Sequence, residues 1–281
     1  PSLLHLNSDE KPNIFIVDGQ EYKGKETVAR IWFFCSGLSK NKKDEAQDSL
    51  LASLSDCIED TERKCPQGQI QRLLVGTIQG RLEDVNIDDF SEAIDKGEIG
   101  SKVQEMTGRL HPLLLKIRTS DKVFVCAMNG SAAGGGLGLA LSCDYRVCSH
   151  EAKIPSAFFR LGLSPDGGTT WLLPRLVGNQ IARKFFFNSE VWSAEQALEY
   201  GAIDELSDSE QLMPRSIEVA REWGKWALSS RKGTKQLLDA STSTFFETQL
   251  QFEQSLMVAS SQTKDFVEGV RSFKNRVEPS F

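Results

Sequence analysis

The sequence has few of the residues that form metal centres or redox-active pairs. Among its 281 residues there are three histidines and six cysteines, and no two cysteines form a C-x-x-C pair. No cluster of His, Cys and Asp has the spacing of a metal site. We therefore predict no bound metal and free cysteine thiols in a reducing compartment.

The chain also lacks a long apolar run, a start of the signal-peptide type and an excess of positive charge. Its formal net charge is −6, which disfavours nucleic acid and anionic membrane surfaces as partners. No apolar stretch approaches the length of a transmembrane helix. We expect a cytoplasmic protein that binds neither nucleic acid nor membrane.

Strand-like and helix-like patterns alternate in the first part of the chain. We expect strands at 13–18, 28–34, 72–76, 123–127 and 145–148, with turns at Gly19 and Gly24, and helices at 44–58, 99–117 and 135–141. This alternation is typical of an α/β fold with parallel strands. After Pro155 the pattern becomes mostly helical, with helices predicted at 193–200, 210–226, 231–238 and 245–260. The first of these has a capping box at Ser193–Gln196 and a stop at Gly201.

A glycine-rich turn follows the predicted strand at 123–127. Three consecutive glycines, Gly134, Gly135 and Gly136, precede a segment of helical composition. Glycines allow the backbone to approach a bound group closely, and the first N–H groups of a helix favour negative charge. Such a turn suits a phosphate or the oxyanion of a thioester enolate. It is not a nucleotide fingerprint, because it contains neither G-x-G-x-x-G nor Gly-Lys-Ser/Thr.

A second candidate site centres on Asp166, which lies in the sequence Pro165-Asp166-Gly167-Gly168 before an apolar helix. An aspartate in this position often caps the helix that follows. The other interpretation is a general base, a carboxylate partly enclosed by apolar residues that exchanges a proton with carbon. Local sequence leaves both interpretations open.

Taken together, these segments resemble the crotonase, or enoyl-CoA hydratase/isomerase, superfamily. The resemblance rests on motifs in the family's order: Asn129-Gly130, Ala133-Gly134-Gly135-Gly136, Cys143-Asp144, Leu161-Gly162-Leu163 with Pro165-Asp166, and Leu173-Pro174-Arg175. It extends from about residue 28 onward and is strongest for the phenylacetate-pathway type of enoyl-CoA isomerase. It implies a crotonase-like ββα spiral core at 1–205, a C-terminal helical region at 206–281, and a homotrimer or hexamer.

The resemblance also implies a site. The carbonyl oxygen of an acyl-CoA thioester would lie between the backbone N–H groups of Gly135 and Asp88, with Asp166 as the base. The substrate would also contact Gly134, Ile87, Phe158 and Leu161. Coenzyme A would enter as part of the substrate, with no separate cofactor. The segment 83–88 departs from the family pattern, because it lacks the usual glycine.

The resemblance favours isomerase over hydratase chemistry. The two glutamates that hydratases of this family use fall at Gly138 and Phe158, so both carboxylates are absent. The implied reaction shifts a double bond from the 3-enoyl to the 2-enoyl position. Two alternatives stay open: action on a carrier-protein-bound or carboxylated acyl thioester, and a degenerate thioester-binding protein. His111 has no carboxylate at helical spacing, and we expect it to pack rather than act in catalysis.

Overall fold

The computed structural model describes residues 17–22, 26–35, 71–80 and 87–281 of the chain. Within these ranges the main sheet has six strands in the order β1-β2-β3-β4-β5-β8. Its strands are β1 (Val17–Tyr22), β2 (Glu26–Cys35), β3 (Gln71–Gly80), β4 (Val123–Met128), β5 (Tyr145–Ser149) and β8 (Glu205–Ser207). The first strand pairs antiparallel with β2, and every other neighbouring pair is parallel. A separate antiparallel pair joins β6 (Lys153–Pro155) to β7 (Val191–Ser193).

Helices follow most of the strands and then fill the C-terminal part of the chain. They are α1 (Ile87–Asp95), α2 (Ile99–Thr119), α3 (Gly134–Ser142), α4 (Thr169–Val177), α5 (Asn179–Phe187), α6 (Ala194–Tyr200), α7 (Leu212–Gly224), α8 (Leu228–Ala240), α9 (Phe246–Ser261) and α10 (Lys264–Asn275). A 3-10 turn, Phe159–Leu161, precedes the turn that carries Asp166.

The central strand β4 is buried along its whole length and supplies both layers of the core. Successive side chains of a strand point to opposite faces. Accordingly, Phe124 and Cys126 pack in one apolar cluster, whereas Val123 and Val125 pack in the other. Helix α7 covers the second face through Ile217 and its buried neighbours. The sheet thereby fixes the direction in which the chain leaves β4 towards α3.

The predicted α/β class with parallel strands is confirmed, and so is the capping box of α6. There the Gln196 backbone N–H donates to Ser193 Oγ, and the Ser193 backbone N–H donates to Gln196 Oε1. The turn expected at Gly19 is wrong, because Gly19 lies inside β1 and pairs with Ala29. The helix expected at 44–58, the first four residues of the strand expected at 13–18 and the turn at Gly24 lie outside the described residues. The boundary at 205/206 stays a prediction.

The sequence pattern did not predict the shortest strands. The three-residue strands β6, β7 and β8 are not among the strands that we expected from the sequence. In the described ranges, no helix combines the length and the apolar character needed to cross a membrane.

Candidate active site

The glycine-rich turn after β4 brings the beginning of α3 to the carboxyl end of the sheet. Gly134 opens the helix with a φ of +56°, in the left-handed region where a side chain would be strained. Every residue of α3, including Gly135, is buried. The N-terminus of this helix is therefore enclosed by protein, where its dipole is screened less than it would be in water.

The turn that carries Asp166 lies directly against α3. Gly167 has a φ of +62°, and a Cβ placed on it would lie 3.0 Å from the Cα of Gly135. The turn is closed by Thr169, whose backbone N–H and hydroxyl group both donate to the Asp166 carbonyl oxygen, at 3.2 and 2.7 Å. Glycine at position 167 thus allows the backbone of the turn that carries Asp166 to pack closely against the N-terminal turn of α3.

The side chain of Asp166 does not cap the helix that follows it. Helix α4 has Gly168 at its N-cap position and receives no side-chain cap. Instead, Asp166 Oδ1 lies 2.8 Å from Nε2 of His111, which comes from α2. About 40% of the Asp166 side chain is exposed. The capping interpretation is therefore wrong, and the carboxylate instead contacts α2 from a turn that packs on α3.

Sequence reasoning missed His111. We expected this histidine to pack, but its side chain is about half exposed and bonds to Asp166. No carboxylate at helical spacing pairs with His111, because its partner lies 55 residues further along the chain. The pairing depends on how α2 packs beside the 165–168 turn, and no local sequence signal indicates it.

Backbone atoms occupy the space beside Gly138, the position of the first hydratase glutamate. A Cβ on Gly138 would lie 2.1 Å from the carbonyl oxygen of Gly167 and 2.8 Å from its carbonyl carbon. Distances below 3.0 Å require something to move, and here the obstacle is backbone. A glutamate at this position is therefore incompatible with the observed place of the turn that carries Asp166.

The remaining predicted site residues lie in three different settings. Phe158 is buried and packs edge-on against Phe186, within the main apolar cluster. Leu161 ends the 3-10 turn and is about half exposed. Ile87 and Asp88 form the first turn of α1, so their N–H groups belong to a helix N-terminus. Whether any of them contacts a substrate stays a prediction.

The aspartate of the Cys143-Asp144 motif has a structural role. Asp144 Oδ2 accepts from the Phe124 backbone N–H at 2.9 Å and from Lys235 Nζ at 3.0 Å. The same ammonium group donates to the carbonyl oxygens of Lys122 and Ile117. Asp144 and Lys235 therefore join α8 to the N-terminal end of β4, opposite the end that leads into the glycine-rich turn.

Three thiols of the core, Cys126, Cys143 and Cys148, are buried and free. Burial raises the pKa of Cys148 to about 12, so this thiol stays protonated and unreactive in the folded chain. Among the residues that the structure describes, no group of three or more His, Cys, Asp or Glu side chains is arranged to hold a metal ion.

Comparison with known proteins accounts for this combination of fold and site. The model of the enoyl-CoA hydratase/isomerase family matches residues 88–281. The chain is 32% identical to the 1,2-epoxyphenylacetyl-CoA isomerase of Escherichia coli K12 over 241 residues, which are 83% of this chain and 88% of the relative. It is 26% identical to the trans-2-decenoyl-[acyl-carrier-protein] isomerase of Streptococcus mutans over 214 residues, 75% of this chain and 81% of the relative.

Among solved structures, the enoyl-CoA hydratase of Bacillus anthracis superposes with a TM-score of 0.78 at 22% identity, covering 96% of this chain and 99% of that chain. At that identity the likeness concerns the fold alone, and it agrees with the sheet and the C-terminal helices described above. The family match and the E. coli relative carry the assignment further. The chain belongs to the enoyl-CoA hydratase/isomerase family, the crotonase family of enzymes that act on acyl-CoA thioesters.

Proposed function

We propose that the protein is an acyl-thioester isomerase that converts a 3-enoyl thioester into the 2-enoyl isomer. One observation carries the proposal: the turn that bears the Asp166 carboxylate packs directly on the buried N-terminal turn of α3, whose N–H groups would stabilise an enolate oxygen. Two relatives whose names describe isomerases support it, and in both cases the chain covers most of the relative's length.

In the proposed mechanism, backbone N–H groups of Gly135 and Asp88 donate to the thioester carbonyl oxygen. Polarisation of the carbonyl acidifies C2, and Asp166 accepts a proton from that carbon through its Oδ2 atom. The electron pair of the broken C–H bond forms a dienolate that extends over C1 to C4. The carboxyl group then returns the proton to C4, which leaves the double bond between C2 and C3.

The energetic demands of this scheme are within the capacity of the site. Each well-placed N–H donor contributes about 2.7–4 kcal/mol of transition-state stabilisation in acyl chemistry. A positioned acid–base group contributes about 10²- to 10⁴-fold in rate. One carboxylate suffices because the proton leaves and returns on the same face of the dienolate.

Hydration of a double bond is a poorer fit to these residues. It needs an acid and a base that hold water, yet the two hydratase positions are Gly138 and the buried Phe158. The backbone of Gly167 also blocks a side chain at position 138. Isomerisation, by contrast, needs a single carboxylate, and Asp166 is the residue proposed to supply it.

The surroundings of Asp166 support an apolar acyl group. Four large apolar side chains near it in the chain are partly exposed: Phe159, Leu161, Leu163 and Trp171. Exposed apolar residues in one region are typical of binding surfaces. We propose that these residues contact the acyl chain, while Gly134 and Ile87 contact the thioester.

We further propose that the chain assembles into a homotrimer or a dimer of trimers. Helix α10 carries Phe266, Val270 and Phe273 on one of its faces, and each of these side chains is at least half exposed in the single chain. Such a stripe is typical of a helix that packs against a partner.

The 1–205 core and the 206–281 helical region are proposed as the two functional parts. A cytoplasmic location is proposed from the buried free thiols.

A carrier-protein thioester is the second candidate substrate, with the same chemistry. It is favoured by the S. mutans relative, whose name gives an acyl-carrier-protein substrate. The two candidates differ in the group that carries the thioester and not in the reacting carbons. Comparison of one acyl chain attached to either carrier separates them.

The proposal is tested by incubating the purified protein with 3-hexenoyl-CoA and following 2-hexenoyl-CoA, with Asp166→Ala as the comparison. We expect turnover by the wild type and a loss of about 10²-fold or more in the variant. Turnover only with the hexenoyl carrier-protein thioester would favour the second candidate. Binding without turnover of either substrate would contradict the isomerase proposal and favour a degenerate binding protein.

A further inference from the structure

The hydrogen bond between His111 and Asp166 joins two parts of the chain that are far apart in sequence. Nε2 of the imidazole lies 2.8 Å from Oδ1 of the carboxylate, across 55 residues. Resting on the proposed function, we infer that His111 is a positioning residue: it holds the Asp166 carboxylate so that Oδ2 points to the substrate carbon.

Both partners of this hydrogen bond are carried by well-fixed backbone. On one side, α2 is anchored by the buried side chains of Leu113, Leu114 and Ile117. On the other, the 165–168 turn rests on Gly135 and Gly138 of α3. A Cβ on Gly167 would also lie 3.7 Å from the Leu110 side chain, so the turn approaches α2 directly beside His111. The contact therefore follows from packing and not from a flexible surface encounter.

The chemistry of the two groups assigns their roles. An ionised carboxylate only accepts hydrogen bonds, so the imidazole donates through Nε2–H to Oδ1. Among the described residues, no hydrogen bond to the other oxygen, Oδ2, is found. One oxygen of the base is thus held by protein, and the second remains for a proton from carbon.

Holding the carboxylate in one orientation matters because the Asp166 side chain would otherwise rotate freely. Rotation about the terminal bond of an aspartate has broad, shallow preferences, and about 40% of the Asp166 side chain is exposed. Without a partner, the two oxygens would sample orientations that do not meet C2. Since reacting groups misplaced by about 1 Å lose as much as about 10²-fold in rate, the His111 hydrogen bond has a measurable kinetic value.

The test compares three variants on 3-hexenoyl-CoA. His111→Gln places an amide N–H near the position of Nε2, whereas His111→Leu has a similar size and no donor. His150→Asn is the matched control, because His150 forms another half-exposed pair, with Glu195 at 3.2 Å, that does not involve Asp166. We expect His111→Leu to lower kcat by about 10- to 100-fold, with KM within about twofold. We expect His111→Gln to retain kcat within about threefold and His150→Asn to match the wild type.

Two kinetic results would overturn the inference. One is an unchanged kcat in His111→Leu, whether or not its KM changes. The other is an equal loss in His111→Gln and His111→Leu, because the N–H donor would then make no difference.

A measurement without turnover separates this inference from the proposed function. With three histidines in the chain, the imidazole resonances are readily assigned by nuclear magnetic resonance from single substitutions. We expect Asp166→Asn to shift the imidazole signals of His111, whose Nε2 contacts Asp166, and to leave the imidazole signals of His150, whose Nδ1 contacts Glu195, in place. If the wild type fails to turn over any thioester, the proposed function fails, and the same spectra still decide whether His111 holds Asp166. An unmoved His111 signal would refute the contact.

Discussion

Substituting Gly138 by alanine tests whether the close approach of α3 and the Asp166 turn is needed for activity. The new Cβ would lie 2.1 Å from the Gly167 carbonyl oxygen, about 1.3 Å short of the 3.4 Å at which ordinary contact begins. Because the obstacle is backbone, either the turn or the helix must move by roughly that distance. Asp166 is the residue next to the displaced carbonyl group, so the base moves with it.

The expected magnitude follows from that displacement. A shift of about 1 Å at a reacting group costs as much as about 10²-fold in rate, and overpacking of a buried position costs about 1–3 kcal/mol of stability. We therefore expect Gly138→Ala to lower kcat on 3-hexenoyl-CoA by about 10²-fold and to reduce the free energy of unfolding by about 1–3 kcal/mol. Initial rates and urea denaturation measure the two effects.

Gly100→Ala is the matched control for this experiment. Gly100 lies in α2 with nothing within 4 Å of a Cβ built on it. Alanine in an open helical position stabilises a protein by about 0.5–1 kcal/mol relative to glycine. We expect unchanged activity and a small gain in stability. A Gly138→Ala protein with wild-type rate and wild-type urea midpoint would refute the steric argument.

The remaining predictions concern stability and assembly. Lys235→Met leaves the Asp144 carboxylate buried without its cation and should lower the free energy of unfolding by about 3 kcal/mol in urea; an unchanged midpoint would contradict this. Ser193→Ala removes the cap of α6 and should cost about 1 kcal/mol by thermal denaturation, and no loss would count against the cap. Burial raises the pKa of Cys148 from 9.0 in the unfolded chain to about 12 in the folded chain. As the pH rises between these values, the thiol ionises in the unfolded chain but not in the folded one, so the free energy of unfolding falls by up to about 1.4 kcal/mol per pH unit. Cys148→Ala should flatten that decline in pH-dependent unfolding curves, and curves of equal slope would show that the thiol contributes nothing. Phe273→Asp should reduce the sedimentation coefficient if α10 lies at a subunit interface, and an unaltered coefficient would exclude that interface.

Local patterns predicted the parts of the fold that are specified locally. The capping box at Ser193 was readable because its two hydrogen bonds join residues three apart. The glycines at 134–136 and Asp166 were identified because the family motif spans both. In contrast, the strand Glu205–Ser207 has three residues, too few for an alternating pattern, and it forms by pairing with β5. Its existence depends on a neighbour 58 residues away in sequence.

The site itself was only half predictable for the same reason. The sequence indicated Asp166 as the candidate base, but not the residue that forms a hydrogen bond with its side chain. The partner of Asp166 is set by how α2 packs beside the 165–168 turn, and no spacing in the sequence records that packing. Likewise, the absence of a carboxylate at Gly138 was visible, whereas the backbone that excludes one became visible only in three dimensions.

The most direct test of the account is the rate at which deuterium is lost from C2 of 3-hexenoyl-CoA labelled with deuterium at that carbon. Followed in a single turnover, this rate reports proton abstraction itself, separately from product release. We expect Asp166→Asn, which keeps the shape of the side chain, to remove C2 deuterium at least about 10²-fold more slowly than the wild type, while His150→Asn matches the wild type. Loss of deuterium at the wild-type rate in Asp166→Asn would show that another group is the base.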